Sequence, residues 1–471
     1  MTRTKILATL GPASSSEKDL EKLLDAGIDG IRLNFSHGTY PEFDEIFETI
    51  NRVCEKKKLP IAILVDLQGP KIRVGELASA TVLLKAGKDI EISAGKILGN
   101  ENIISTSYKP LTRDAVIGDK ILIDDGLIEL KVIEKKKNSL NCRIMEGGIL
   151  KPKKGMNLPG MKLSTQAVTK KDFENLEFAL KHRVDYIALS FVRDSKDISK
   201  LKKWLAAKGK KIPVIAKIEK PEAVHNFESI LKEADGIMVA RGDLGVEMMP
   251  YEVPMIQKKI IRECRNKGKL VITATQMLES MINNPVPTRA EASDVANAVL
   301  DGTDVVMLSA ETSVGKYPSQ TVKMMDNILR VTEIHEELHT PFDYKFPKDQ
   351  AENLFDAAGK SVYHTSEQVK ADAIVVFTRY GRKAKVISKF RPKAPIYVFC
   401  DRFETMNWLN LYWGIESFFL ADIAKENKAI KKATTILKEK KLIKKGNIIL
   451  FTAGAPITDK ERKSWMRYVV V

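Results

Sequence analysis

Six short apolar runs in this 471-residue chain close on side chains that can hold or move charge. One ends Ile31-Arg32-Leu33-Asn34-Phe35-Ser36-His37-Gly38, and its alternation predicts a strand projecting Arg32, Asn34 and Ser36 to one side. Another ends Asp66-Leu67-Gln68-Gly69-Pro70-Lys71-Ile72-Arg73, and a third carries Lys217-Ile218-Glu219 with both charges on one face. The others end Arg241-Gly242-Asp243, Thr275-Gln276 and Ser309-Ala310-Glu311. A lone Lys-x-Glu on a strand is most simply an internal ion pair. Gathering many such charges in one place is costly unless function retains them.

The chemistry that such a set suits can be argued from its donors. Glu219 and Asp243 offer the oxygen ligands that Mg²⁺ or Mn²⁺ prefers, and no His or Cys cluster suggests zinc. Lys217, Arg32 and Arg73 supply positive charge for a phosphate, while backbone N–H groups at Gly242-Asp243 suit a carboxylate. Metal, lysine and arginine around a phosphorylated acid are the equipment of phosphoryl transfer. The residues alone stop at a metal-dependent enzyme acting on an anionic phosphoester. His37 titrates near neutrality but, between Ser36 and Gly38, reads as a group that orients neighbours or contacts nucleotide. Met277 and Met281, at i and i+4, read as helix packing.

Eight continuous apolar runs position these residues: Lys5–Leu10, Gly30–Asn34, Ile61–Leu67, Tyr186–Val192, Val214–Glu219, Gly236–Arg241, Leu270–Thr275 and Val305–Ser309. Continuous rather than alternating apolar character predicts parallel strands covered on both faces. Helix-like segments lie between them, with capping-box starts at Ser16 to Asp19, Thr169 to Asp172 and Thr288 to Glu291. The pattern predicts a (β/α)8 barrel, with an open doubly wound sheet as the structural alternative. Catalytic residues of such a barrel gather at the C-terminal ends of the strands. Between the third and fourth runs the period changes to two (Thr81–Leu84, Asp89–Ser93, Lys120–Asp124, Leu127–Ile133), which predicts an inserted small β-barrel. After a polar stretch, Thr340 to Asp349, strands at Ala373–Thr378, Ile396–Phe399 and Ile448–Thr452 predict a C-terminal α/β domain. The expected division is 1–69 with 168–340, then 70–167, then 341–471.

Composition narrows the classes. With 44% apolar and 29% charged residues the chain reads as globular. No run approaches the roughly 18 apolar residues of a membrane span, and the start lacks a signal-peptide pattern, so a cytoplasmic location is expected. Cys54, Cys142, Cys264 and Cys400 have neither metal nor redox spacing and read as buried thiols. The net charge of +16 comes in short lysine clusters without interleaved aromatics, which makes nucleic acid an unfavoured partner.

Six segments together carry a resemblance: Ala8–Ser14, Ile31–Gly38, Lys217-Ile218-Glu219, Met238–Glu247, Ala274–Met281 and Pro287–Asp304. In this order they resemble pyruvate kinase, nearly end to end along the barrel. The resemblance implies transfer of the phosphoryl group of phosphoenolpyruvate to ADP, a step of glycolysis. It implies a divalent ion on Glu219 and Asp243, Lys217 and Arg32 on the transferring phosphoryl group, and Arg73 with Asn34 and His37 toward nucleotide. Thr275 would stand near the enolate, and Gly242 and Asp243 would bind the substrate carboxylate. Many members bind K⁺ through positions matching Asn34, Ser36, Asp66 and the carbonyl of Leu67, with a glutamate where this chain has Lys71. Lys71 resembles the K⁺-independent branch, since its ammonium can replace the monovalent charge. The loop Thr378-Arg379-Tyr380-Gly381-Arg382-Lys383 loses hydroxyls of the family's sugar-phosphate loop, and the end from Ala453 through Pro456 to Trp465 also departs from it. Activity without fructose 1,6-bisphosphate is therefore expected, as is a homotetramer. The competing readings are a lyase or aldolase acting on phosphoenolpyruvate or a keto acid, and a non-catalytic nucleic-acid binder.

Overall fold

The computed structural model describes residues 2–334, 344, 350–455 and 463–471. Eight parallel strands close into a barrel: Lys5–Thr9, Gly30–Asn34, Ala62–Asp66, Tyr186–Leu189, Val214–Ile218, Gly236–Ala240, Leu270–Ala274 and Val305–Leu308. Each strand pairs with its neighbours in chain order, and the eighth returns to the first through Lys5 opposite Val305. Apart from Asn34, every residue of these strands is buried, which is why their sequences are apolar without alternation.

The helices begin where their caps place them. Thr169 and Thr288 each form a reciprocal capping box, with Asp172 and Glu291. At Ser16 only half the box forms, because the Asp19 carboxylate takes the Ser16 hydroxyl at 2.6 Å. A second expectation is corrected at the second strand. It stops at Asn34, whose Oδ1 accepts the Ser36 N–H at 3.2 Å and turns the chain. Ser36 therefore lies in the turn, not on the strand face of Arg32 and Asn34.

The insert leaves the barrel at Gly69, where φ is +65° and a Cβ would stand 2.8 Å from the Phe191 ring. Its strands form a six-stranded sheet and a two-stranded ribbon over one core, which runs from Ile72 and Leu84 to Leu150 and Met161. Of these strands, Ile103–Ser105, Ser139–Glu146, Gly148–Leu150 and Met156–Asn157 were not anticipated. The Asp172 carboxylate accepts the Gly69 N–H at 3.2 Å and the Thr169 N–H at 2.8 Å, so one buried side chain ties both ends of the excursion.

The C-terminal domain is a five-stranded sheet in the order Ile415–Phe419, Ile396–Cys400, Ala373–Phe377, Ile448–Ala455, Lys463–Val470. The last strand runs antiparallel and, with Ile415–Phe419, adds to the three read from sequence. A single apolar cluster joins this domain to the barrel floor, with Leu7, Ile215, Met238 and Ile272 in one packed group with Ile374, Val376 and Leu411. Arg391 pairs with Asp304 at 2.7 Å across the same junction. Apart from Tyr344, the stretch Thr340 to Asp349 lies outside the described residues, as does Pro456.

Candidate active site

The fifth barrel strand ends at Ile218, so Lys217 points into the barrel and Glu219 follows at its mouth. The Lys217 ammonium donates to the Ser190 hydroxyl at 2.7 Å and pairs with Glu219 at 2.9 Å and Asp66 at 3.3 Å. Arg32 reaches the same Asp66 with Nε at 2.8 Å and Nη2 at 2.7 Å, and donates from Nη1 to the Thr9 hydroxyl at 3.0 Å. Three strands thus deliver two cations and two carboxylates to one nearly dry cluster, with Lys217 11% and Asp66 and Glu219 each 1% exposed.

Burial and pairing set the charges. Burial alone would lower the Lys217 pKa, but Asp66 and Glu219 overcome this and hold it above the ordinary lysine range. Burial alone would raise Asp66, and Lys217 and Arg32 instead bring its carboxyl below the usual range. Glu219 is different. Burial pushes it up, the neighbouring Asp243 adds repulsion, and Lys217 offsets only part of this. Its Oε2 accepts the Phe191 N–H at 2.7 Å, and its Oε1 faces the Lys217 ammonium at 2.9 Å.

Asp243 stands in the first turn of the helix Arg241–Glu247, directly after the sixth strand. Two neighbouring carboxylates, one buried and with a proton affinity raised by burial and by the other, fit a hard divalent cation. Mg²⁺ is commonly held by one or two carboxylates with substrate oxygens and water completing its shell. Among the described residues no group of three or more His, Cys, Asp or Glu side chains is arranged to hold a metal.

Beside it, the Gly242 N–H donates to the Thr275 hydroxyl at 2.8 Å, and that hydroxyl donates to the Ala274 carbonyl at 2.6 Å. Thr275 has φ +69° and Gln276 φ +53°, a conformation costly for a β-branched residue and concentrated at functional sites. Gly242, Asp243, Thr275 and Ser309 line one side of a cleft of about 920 Å³, with Lys71 and Asp125 of the insert opposite. Lys217, Glu219 and Arg32 are not among the residues lining this cleft.

The remaining sequence candidates form an outer group. Burial and the charges of Arg73, Lys71 and Arg32 lower the His37 pKa, so the imidazole is neutral and sits among those three cations. Arg73 also donates to the Lys153 carbonyl at 3.1 Å within the insert. Lys71 is exposed and lines the cleft, whereas the Leu67 carbonyl accepts the Ser190 hydroxyl at 2.7 Å. Asn34 accepts the Ser36 N–H in their turn and stands opposite Asp66 of the Lys217 cluster in the strand register.

Sequence reasoning missed Ser190, Phe191 and Arg241 as parts of this site. A serine within the apolar run Tyr186–Val192 was the available signal for the first. The φ of +54° at Phe191, which turns its N–H onto Glu219, has no signal in the residue type.

Comparison with known proteins gives one answer. The sequence model of the family "Pyruvate kinase, barrel domain" matches residues 1–322, and "Pyruvate kinase, alpha/beta domain" matches 356–467. A pyruvate kinase of Staphylococcus epidermidis is 41% identical over 478 aligned residues, covering all of this chain and 81% of the relative. Pyruvate kinase 2 of Synechocystis is 42% identical over 456, covering 96% of this chain and 76% of the relative. Among solved structures, a pyruvate kinase from Cryptosporidium parvum superposes with a TM-score of 0.92 at 34% identity, covering 100% of this chain and 96% of that one.

Proposed function

This chain belongs to the pyruvate kinase family, and we propose that its phosphoryl transfer from phosphoenolpyruvate to ADP runs through Lys217, Arg32, Thr275 and the Glu219–Asp243 pair. In the reaction the bond between phosphorus and the enol oxygen breaks, a bond to a terminal ADP oxygen forms, and the enolate takes a proton at its methylene carbon. Lys217, held charged by its carboxylate neighbours, neutralises the transferring phosphoryl group. Arg32, fixed by Asp66 and Thr9, grips the same group from the second strand. The Gly242 and Asp243 backbone N–H groups receive the substrate carboxylate, and Thr275 orients the proton donor at the enolate. Arg73, with Asn34 and His37, faces the nucleotide. Glu219 and Asp243 would hold a divalent ion, Mg²⁺ or Mn²⁺, which would supply charge neutralisation for the transferring phosphoryl group. The buried network of Lys217, Glu219, Asp66 and Arg32 next to Asp243 carries this reading.

Lys71 stands in for K⁺, a reading supported by its place on the cleft wall. Asp66, a ligand position of the family's monovalent site, is already balanced by Arg32 and Lys217. Ser36, Asn34 and the Leu67 carbonyl complete that position without a monovalent ion. The domain division at 69/70 and 167/168 is supported by the separate core of the insert, and the boundary at 340/341 lies outside the described residues. A cytoplasmic homotetramer is the working assembly. Among the described residues no helix is long and apolar enough to cross a membrane.

A coupled assay of pyruvate formation, omitting ADP, divalent ion and K⁺ in turn, tests the reading. Activity should require ADP and the divalent ion and persist when tetramethylammonium replaces K⁺. A large stimulation by K⁺ would remove the Lys71 role. Lys217→Met should lower turnover by roughly 100-fold or more while phosphoenolpyruvate and metal still bind; unchanged turnover would refute the assignment.

A further inference from the structure

Arg241 directly follows the sixth strand and lines the cleft, and its guanidinium reaches the backbone that carries Thr275. Its Nη2 donates to the Thr275 carbonyl at 2.8 Å and approaches the Gln276 carbonyl at 3.4 Å, and Nε reaches the Ala274 carbonyl at 3.3 Å. The guanidinium is itself anchored, with Nη1 2.7 Å from an Asp294 carboxylate oxygen, and it is 12% exposed. At the next residue, the Gly242 N–H meets the Thr275 hydroxyl at 2.8 Å. The Gly242 N–H is the donor given above to the substrate carboxylate, so the clamp on Thr275 rests on the Arg241 guanidinium at its carbonyl. The clamp lies where the chain passes through two consecutive left-handed non-glycine residues, Thr275 and Gln276. A planar fork with several donors can hold three successive carbonyls, which a single ammonium cannot.

We propose that Arg241, tethered by Asp294, is a positioning residue that fixes the strained Thr275 backbone, so that Thr275 is placed to orient the group or water that delivers a proton to the enolate. The proposal rests on the role given to Thr275 above. It assigns Arg241 no contact with substrate. Binding of phosphoenolpyruvate and ADP is left to other groups, and the proton step alone depends on the clamp.

Deuterium uptake at the methyl carbon of pyruvate in heavy water isolates that step, because a C–H bond breaks, its proton passes to solvent and the enolate takes a deuteron. Arg241→Lys and Asp294→Asn should each slow this exchange roughly 10- to 100-fold, the effect of displacing a catalytic group by about an ångström. The KM for phosphoenolpyruvate should change by less than about threefold, because the binding contacts are untouched. In a Thr275→Ala background, adding Arg241→Lys should cost less than about a further twofold, since residues acting as one unit are not additive. Full multiplicative losses in that background, or unchanged exchange in both single variants, overturn the proposal. If Thr275→Ala itself exchanges at the parental rate, the role of Thr275 fails instead, and the two results are distinct. Asp294→Asn removes the tether while keeping the arginine side chain, so the question is answered even if Arg241→Lys folds poorly.

Discussion

At the scale of single residues, the site is a set of proton affinities fixed by neighbours. Lys217 stays an ammonium because two carboxylates within 3.3 Å outweigh its burial. A second buried acid, away from the active site, makes the same physics measurable as stability. Burial raises Asp185 to about 6, with Arg183 and the Ile63 N–H opposing. The folded chain therefore holds this proton more tightly than the unfolded chain. The stability from this group is full below about pH 4 and is lost as pH rises through about 6. Asp185→Asn keeps an acceptor for the Ile63 N–H and removes the titration. It should be more stable than the parent by roughly 2–3 kcal/mol at pH 7 and indistinguishable near pH 4, as read by chemical denaturation. The Lys217, Glu219 and Asp243 cluster was legible because acids and bases at the ends of apolar runs are conspicuous. Phe191 and Arg241 were not, since their contributions are a backbone angle and a reach to carbonyls 33 to 35 residues away.

Elements were legible where local chemistry decides them. Thr169-x-x-Asp172 and Thr288-x-x-Glu291 state a helix start in four residues, and both form. Ser36 was misplaced because alternation continues past Asn34 while the Asn34 side chain has already turned the chain. Short strands of the insert such as Ile103–Ser105 and Met156–Asn157 depend on pairing with distant partners and leave little periodic trace. Asp172 joins two elements that sequence shows separately, the cap of one helix and the departure of the insert at Gly69. Asp172→Ala removes both and leaves buried N–H groups without acceptors. It should lower stability by roughly 2–4 kcal/mol, measured by denaturant titration, and expose the segments near Gly69 and Val168 to limited proteolysis.

At the scale of the molecule, the C-terminal domain bears on control. Lys383 is buried, its pKa pushed down to about 8, and it donates to the Ala453 carbonyl at 3.1 Å and to the Ser464 hydroxyl. An ammonium already engaged in this way leaves the loop after Phe377 without the hydroxyls expected of a sugar-phosphate site. Titration with fructose 1,6-bisphosphate should leave the phosphoenolpyruvate saturation curve in place, and a large leftward shift would show an effector site that this chemistry does not anticipate. The three-part organisation was readable from changes of period along the chain. The way the parts join was not, because no periodicity records which apolar faces meet across several hundred residues.

That junction has a practical corollary. Because Leu7, Met238 and Ile272 share their packing with Ile374 and Leu411, the underside of the barrel is finished only when the last third of the polypeptide has arrived. A ribosome releasing a product cut short before that third would leave a greasy opening in water, destined for chaperones or inclusion bodies, and catalysis at the far rim would vanish with it although no active-site residue had been deleted.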